Sequence, residues 1–216
     1  MKMTPESIAL GIEHLRKQDK ILRRVIDQVG PFKLRLHRDR FHALANSIIS
    51  QQISGSAADS IKAKLIKLLE PDGLKPEALL RFNLVELRTA GVSPQKGGYL
   101  LDLAQKVASG EVRLQRLARC PDEEVIAELT KIKGIGLWTA QMFLMFSLGR
   151  PDVFPHGDLG VRNAIRNLYQ LPEAPDMETS HKIAAPWRPY ATIASWYLWR
   201  SLDMPREQAK LNKKKS

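Results

Sequence analysis

A pair of glycines two residues apart constrains the fold of this chain more than any other feature of its sequence. Gly134 and Gly136 lie in the stretch KIKGIGLWTAQMF (131–143), between two segments whose apolar residues recur with helical spacing. Each glycine inside a helix costs about 1 kcal/mol relative to alanine, so one continuous helix is disfavoured here. Because glycine tolerates a positive φ angle, the pattern predicts a tight hairpin between two helices, with Ile135 turned into the core.

Helical spacing of apolar residues recurs along the rest of the sequence, and no pair of alternating segments indicates strands. The sequence therefore predicts an all-α fold, with helices punctuated by glycine and proline. After the hairpin we expect a helix over 137–148, a loop rich in proline and glycine over 149–157, and a helix that begins at Asp158. A last long helix is predicted over 180–202, and the basic tail 205–216 is predicted to be disordered.

The charge of the chain favours a polyanionic partner. Its 216 residues include 34 Lys and Arg against 23 Asp and Glu, for a formal net charge of +11. Nucleic acid is the simplest such partner, although a charge that only serves solubility is equally consistent. No apolar run reaches the roughly 18 residues that a membrane span needs, and the N-terminus lacks the apolar segment of a signal peptide. The single cysteine, Cys120, excludes an internal disulfide and a metal cluster built on cysteines.

The predicted hairpin has the chemistry of a phosphate-binding site. A helix that begins after Gly136 presents unpaired N–H groups and the positive end of its dipole, and both favour an anion. Lys131 and Lys133 add positive charge beside it. Such a site would hold a nucleic-acid backbone without reading its sequence. A plain corner between two helices is the alternative interpretation of the same residues.

A second unusual stretch, DVFPHGDLGVRNAI (152–165), places Asp158 at a helix start behind Pro155 and Gly157. A carboxylate in that position is first of all a helix cap. A capping aspartate is also held rigidly, so it can stabilise positive charge that develops beside it. His156 could assist as a base, or it could be an ordinary exposed loop histidine. None of the five histidines has the spacing of a metal site, and no nucleotide-binding loop or serine-nucleophile motif is present.

Together these features resemble a known family. The stretch LTKIKGIGLWTA (129–140), followed by an aspartate in a loop with proline and glycine, resembles the helix–hairpin–helix, Gly/Pro-rich loop, aspartate superfamily of DNA glycosylases. Within it the chain resembles the alkylation-repair branch, DNA-3-methyladenine glycosylase II, in a compact form without the N-terminal β-rich domain. The segments 46–65, 90–104 and 187–200 are also similar to that branch, so the resemblance covers roughly residues 35 to 202.

The resemblance implies a fold and an activity. The expected architecture is one glycosylase unit of two helical lobes around a DNA-binding cleft, with the hairpin at about 129–142 and the catalytic loop at about 149–158. The expected enzyme is a monomer that binds double-stranded DNA, flips out an alkylated purine such as 3-methyladenine or 7-methylguanine, and hydrolyses its glycosidic bond. It would work in the bacterial cytoplasm at the nucleoid, or in a eukaryotic nucleus. The alternatives are a glycosylase for uracil, an etheno adduct or an oxidised base, and a non-catalytic DNA-binding module.

The resemblance also implies roles for particular residues. Asp158 matches the catalytic aspartate, which either activates water or only stabilises the oxocarbenium-like sugar. The base pocket of the family matches Trp138, Trp196 and Tyr197, and its contacts to the DNA backbone match Lys133, Gly134, Ile135, Gly136 and Thr139. The wedge that fills the gap left by the flipped nucleotide matches Gln52 and Ile53. A monovalent cation would be held by hairpin carbonyls near Ile132 and Ile135.

Three departures from the family pattern narrow the expected chemistry. Members with lyase activity carry a lysine directly after the hairpin, where this chain has Trp138, so no amine is placed for Schiff-base chemistry. Several relatives hold an iron–sulfur cluster on four cysteines, which Cys120 alone cannot do. The usual hairpin proline is replaced by Lys133. We therefore expect a monofunctional glycosylase with no catalytic metal and no cofactor beyond the possible Na⁺ or K⁺ at the hairpin.

Overall fold

The structure is a computed structural model that describes residues 3–214, and side chains within residues 3–204. Every regular element among these residues is helical, which confirms the predicted all-α fold. The α-helices are α1 Pro5–Gln18, α2 Lys20–Val29, α3 Arg40–Ser50, α4 Gly55–Leu68, α5 Pro76–Leu79, α6 Leu84–Thr89, α7 Pro94–Ala108, α8 Asp122–Thr130, α9 Leu137–Phe146, α10 Leu159–Leu168, α11 Met177–Ala184 and α12 Ala191–Lys214. Two short 3₁₀ turns cover Arg116–Arg119 and Ala185–Trp187.

The chain folds into two compact units. The first unit combines residues 1–36 with residues 148–216, and the second consists of residues 37–147. In the first unit α12 packs against α1, α2 and α10. Its core is built from aliphatic side chains around Trp187, which is fully buried. This arrangement brings helices from the two ends of the chain around the start of α10.

The second unit contains α3 to α9. Helix α3 packs against α4, α7 and α9, while α8 pairs with α9 across the glycine hairpin. Leu44, Ile48, Leu100 and Leu103 are among its buried residues. The hairpin and the loop that follows α3 therefore belong to the same packed body.

Side-chain caps explain where most helices begin. Thr4 accepts the N–H of Ser7 and precedes Pro5, whose fixed φ suits the first position of α1. Ser93 caps α7 in the same way, and its first residue is Pro94. These caps satisfy N–H groups that a helix start leaves unpaired.

One expectation about the C-terminal region is corrected. The predicted helix over 180–202 is broken into α11, a 3₁₀ turn and α12, because Pro186 and Pro189 lack the N–H that a helix interior requires. The backbone of residues 205–214 is helical and continues α12. The disorder expected for the tail 205–216 stays a prediction. The last two residues of the predicted tail, 215–216, lie outside the described residues.

Among the described residues, no helix has both the length and the apolar character that crossing a membrane requires.

Candidate active site and hairpin

The hairpin between α8 and α9 has the geometry that its glycines predicted. Gly134 has a φ of 80°, in the left-handed region that favours glycine. Gly136 is extended and forms the N-cap of α9 without a capping side chain. An external anion can therefore take the place that a capping serine or aspartate would fill, at the positive end of the helix dipole.

The two glycines differ in the space around their α-carbons. A Cβ atom on Gly134 would lie 2.1 Å from Cδ2 of Tyr99, so the tyrosine ring packs directly on the hairpin backbone. A Cβ atom on Gly136 would meet no atom within 4 Å. The fold thus requires glycine at 134 but not at 136. The absence of a side chain at Gly136 leaves open space in which a ligand could approach the backbone.

Side chains from α7 and from the end of α3 hold the hairpin in place. The N–H of Lys133 donates to Oδ2 of Asp102 at 2.9 Å, and Nζ of Lys106 donates to the carbonyl of Lys131 at 3.1 Å. Nε2 of Gln51 donates to the carbonyl of Gly134 at 2.8 Å. The sequence analysis did not single out Asp102, Lys106 or Gln51. Their partners lie far away along the chain, so only the packing reveals them.

Two residues with predicted contacts to the DNA backbone are buried in the hairpin. Thr139 is only 5% exposed, because it lies on the inner face of α9, and its contact with DNA stays a prediction. The side chain of Ile135 is buried as expected, but its N–H donates to the carbonyl of Ile132 at 3.1 Å within the turn. The amides that remain best suited to a phosphate are those around Gly136.

The loop after α3 carries the predicted wedge residues. Gln52 has a φ of 55°, an uncommon angle for a residue with a side chain, and Ile53 is 37% exposed although it is apolar. Nζ of Lys96 donates to the carbonyl of Ile49 at 2.7 Å and so satisfies the end of α3. Burial lowers the pKa of Lys96 below its usual value. The loop thus presents two exposed side chains from a fixed base.

Asp158, in the first unit, is the N-cap of α10, as its position predicted. Its Oδ1 accepts the N–H of Val161 at 2.8 Å and also the indole N–H of Trp199 at 2.8 Å. Its own N–H donates to the carbonyl of Pro155 at 2.9 Å, which closes the turn of the loop. The sequence analysis missed Trp199. Its spacing from Trp196 placed it on the last helix, but only the packing of α12 on α10 shows its contact with the aspartate.

Two neighbouring aromatic residues of α12 differ in burial: Trp196 is half-buried and Tyr197 is buried. Trp196 packs edge-on against Phe32 and Tyr197, with ring centroids 4.8 and 4.9 Å away. Tyr197 is 1% exposed, and its hydroxyl donates to the carbonyl of Gly30 at 3.0 Å. Burial raises the pKa of this hydroxyl. Tyr197 therefore belongs to the core and supports Trp196 from behind, and its role in the base pocket stays a prediction.

Each unit has an open pocket beside a predicted tryptophan or its helix. In the first unit Trp196 lines a pocket of about 330 Å³ together with Lys33 and Arg200. In the second unit a pocket of about 270 Å³ lies between α3 and α9, and Asn46, Met142 and Phe146 are among its lining residues. Trp138, on the first turn of α9, is 44% exposed. Trp138 belongs to the second unit and Asp158 to the first.

Comparison with known proteins agrees with this geometry. The profile described as "HhH-GPD superfamily base excision DNA repair protein" matches residues 45–189. The chain belongs to the HhH-GPD superfamily. It is 34% identical over 194 residues to DNA-3-methyladenine glycosylase 1 of Schizosaccharomyces pombe, covering 87% of this chain and 85% of that one. It is 35% identical over 169 residues to the putative DNA-3-methyladenine glycosylase YfjP of Bacillus subtilis, covering 76% of this chain but only 59% of YfjP.

Solved structures of HhH-GPD relatives have the same fold. The structure of S. pombe Mag1, a 3-methyladenine DNA glycosylase in complex with abasic DNA, has a TM-score of 0.78 and 32% identity, over 88% of this chain and 95% of that one. A DNA-3-methyladenine glycosidase from Bacillus halodurans has a TM-score of 0.82 and 36% identity, over 91% of both chains. The resemblance on which the sequence analysis relied is therefore confirmed, as is the helix–hairpin–helix fold.

Proposed function

We propose that this HhH-GPD protein is a DNA glycosylase that hydrolyses the glycosidic bond of alkylated purines, such as 3-methyladenine and 7-methylguanine, and leaves an abasic site. The observation that carries the proposal is the Asp158 carboxylate, fixed at the start of α10 by N–H groups of Val161 and Trp199. The chain is similar, over most of its own length and of theirs, to proteins named 3-methyladenine glycosylases. This similarity supports alkylated purines as the lesion.

The departing base needs no strong general acid. A base inside a duplex cannot be reached, so the nucleotide must first be flipped out, at a cost of a few kcal/mol. A purine methylated at N3 or N7 is cationic, and the electron pair of the breaking C1′–N bond neutralises it as it leaves. Positive charge then develops on the sugar, where a fixed carboxylate stabilises it. Water adds to C1′, and its proton passes to the carboxylate or to solvent.

The hairpin supplies the grip that holds the nucleotide during this step. Its extended Gly136 backbone and the cations of Lys131 and Lys133 suit a phosphate of the DNA strand. A monovalent cation at the carbonyls of Ile132 and Ile135 is part of the proposal, and it would add positive charge beside that phosphate. The carbonyl of Ile132 already accepts one N–H, but a carbonyl oxygen has a second lone pair with which to bind a cation. Replacing K⁺ by tetramethylammonium at constant ionic strength should then weaken DNA binding.

We propose that the enzyme lacks lyase activity. Trp138 occupies the position after the hairpin where a Schiff base would need an amine. Treatment with borohydride during the reaction should therefore trap no covalent adduct between protein and DNA. A trapped adduct would contradict this part of the proposal and leave base excision unaffected.

The decisive test is the release of bases from DNA treated with a methylating agent. The protein should release 3-methyladenine and 7-methylguanine, identified by chromatography, and Asp158→Asn should lower the excision rate by about a hundredfold or more while DNA affinity stays the same. Oligonucleotides that contain uracil, an etheno adduct or an oxidised purine serve as parallel substrates. Near-normal excision by Asp158→Asn would overturn the assignment of the aspartate, and binding without any release would favour the non-catalytic module.

A further inference from the structure

We propose that Trp199 is a positioning residue for Asp158, and that its indole N–H fixes the orientation of the carboxylate that the reaction uses. Nε1 of Trp199 lies 2.8 Å from Oδ1 of Asp158. The tryptophan is carried by α12 and the aspartate by the start of α10, 41 residues earlier. This inference rests on the proposed function and adds a residue to it that neither the family pattern nor the spacing of the sequence singled out.

Two of the bonds that hold the carboxylate converge on one oxygen atom. Oδ1 accepts from Val161 on α10 and from Trp199 on α12, each at 2.8 Å. The terminal torsion of an aspartate is broad, so one capping bond leaves the plane of the carboxylate free to rotate. A second donor from a different helix restricts that rotation. A group held in its productive orientation before the reaction accelerates it more than the same group free to turn.

Capping α10 does not by itself require an indole. Asp39 caps α3 by accepting the N–H of His42 at 2.9 Å, and within the described part of the chain no tryptophan bonds to it. Asp19, the cap of α2, also accepts an indole N–H, from Trp187, but it does so at Oδ2, whereas its Oδ1 accepts the capping N–H groups. At Asp158 the indole and the capping N–H share Oδ1, so Trp199 orients the same oxygen that caps α10.

Gly160 allows the two side chains to meet. A Cβ atom on this residue would lie 3.0 Å from Oδ1 of Asp158 and 3.0 Å from Cδ1 of Trp199. Glycine inside a helix is unfavourable, yet α10 has it at its second residue, where any side chain would press between the indole and the carboxylate. The glycine offers a second, independent way to disturb the same contact.

The test separates positioning from stability. Trp199→Phe keeps a ring in the packing and removes the N–H donor, whereas Gly160→Ala keeps the donor and crowds the contact between the two side chains. The single-turnover rate of 3-methyladenine release at saturating enzyme should fall about 10- to 100-fold in Trp199→Phe, and Gly160→Ala should lower it in the same direction. The dissociation constant for DNA should not change. In the background of Asp158→Asn, Trp199→Phe should cause no further loss of rate.

Trp187→Phe is the matched control, since its indole also donates to a carboxylate of the first unit, Oδ2 of Asp19 at 2.9 Å. It should lower the melting temperature and leave the excision rate unchanged below that temperature. A folded Trp199→Phe variant with the rate of the wild type would overturn the proposal. Should that variant not fold, an unchanged rate in Gly160→Ala would overturn it instead. These failures differ from failure of the proposed function, in which the wild-type protein itself releases no methylated base.

Discussion

Gly134 and Gly136 lie two residues apart in the hairpin, yet the surroundings of their α-carbons differ. Gly134 combines a positive φ with the ring of Tyr99 packed on its backbone, whereas Gly136 has an ordinary extended conformation and open space beside it. A glycine that the fold does not require invites a functional explanation. The explanation that we propose is the approach of a DNA phosphate to the start of α9.

The two glycines therefore predict opposite mutant behaviour. Gly136→Leu should fold, with a loss of about 1 kcal/mol at most from the poorer N-cap, and should bind methylated and unmodified DNA more weakly alike. Gly134→Leu should lose about 2 kcal/mol or more of stability, because of its φ angle and the displaced tyrosine ring. Thermal melting and fluorescence anisotropy at several salt concentrations measure both effects. Unchanged affinity and salt dependence in Gly136→Leu would show that no phosphate is held there.

His156, two residues before Asp158, is a pH-sensitive residue of the same loop. Its ring lies 5.0 Å from that of His181. Burial, and secondarily the proximity of His181, lowers the pKa of His156 below the ordinary value of 6.5. The unfolded chain therefore binds the proton more readily than the folded one. The stability contributed by the neutral imidazole is complete above pH 6.5 and is lost as the pH falls below it.

We expect the melting temperature to fall between about pH 7.5 and 5.5, and His156→Gln to reduce that fall. Melting curves across this range, with His42→Gln in the other unit as the control variant, make the measurement. An identical pH dependence in the wild type and in His156→Gln would exclude this histidine as the source.

At the scale of elements, one side chain connects the loop that carries the predicted wedge residues to the hairpin that we propose binds DNA. Gln51, the C-cap of α3, donates to the carbonyl of Gly134, and the next residue in the chain is the strained Gln52. The loop is thereby anchored to a fixed point on the phosphate grip. A side chain that must enter the duplex as a base leaves it gains accuracy from such an anchor.

Gln51→Met should weaken that anchor with little change in side-chain volume. We expect excision from duplex DNA to slow by about tenfold, because one partly buried hydrogen bond is lost, and we expect a smaller effect where the lesion lies in a mismatch and flips more easily. Gln105→Met, an exposed substitution on α7, is the control. Equal slowing on paired and mismatched substrates would indicate a general loss of structure and not a loss of wedge placement.

The elements also show how far the sequence could predict this molecule. Glycine, proline and capping residues act within a few positions of the chain, so the helices, the hairpin and the capping role of Asp158 were predictable. The same reasoning missed the break at Pro186 and Pro189, where the aromatic periodicity on either side suggested one continuous helix. The burial of Tyr197, and of Thr139, depends on which face of a helix meets its neighbours. Periodicity gives the apolar face of a helix but not its partner.

Contacts between distant segments were beyond the sequence for the same reason. Gln51 and Gly134 are 83 residues apart, and Asp158 and Trp199 are 41 apart. Nothing in the local pattern of either segment specifies its partner. The resemblance to a family supplied roles for residues that match a motif, and it was silent on residues such as Trp199 that support a motif from elsewhere.

At the scale of the whole molecule, the hairpin and the Asp158 carboxylate belong to different units of the chain. Residues 37–147 form one continuous unit that contains both the hairpin and the 50–54 loop, whereas Asp158 belongs to the unit made from the two ends of the chain. Binding and chemistry are therefore assigned to different parts of the sequence.

We predict that residues 37–147 fold on their own, because the unit is continuous and has its own buried core. The fragment should melt cooperatively and bind duplex DNA with a salt-dependent affinity, but it should release no base from methylated DNA. Circular dichroism, anisotropy and chromatography test these three outcomes. Measurable base release by the fragment would place the chemistry outside Asp158.

The discontinuous unit has a consequence for biosynthesis. Helices α1 and α2 leave the ribosome before residues 37–147, but α12, which covers their apolar faces, leaves after those residues. At about 5–20 residues per second, the nascent N-terminal helices wait on the order of ten to thirty seconds for that partner. Residues 37–147 are complete well before then. If the two proposals hold, a chain still in synthesis acquires its DNA-binding hairpin first, and its carboxylate reaches a working orientation only when translation delivers Trp199.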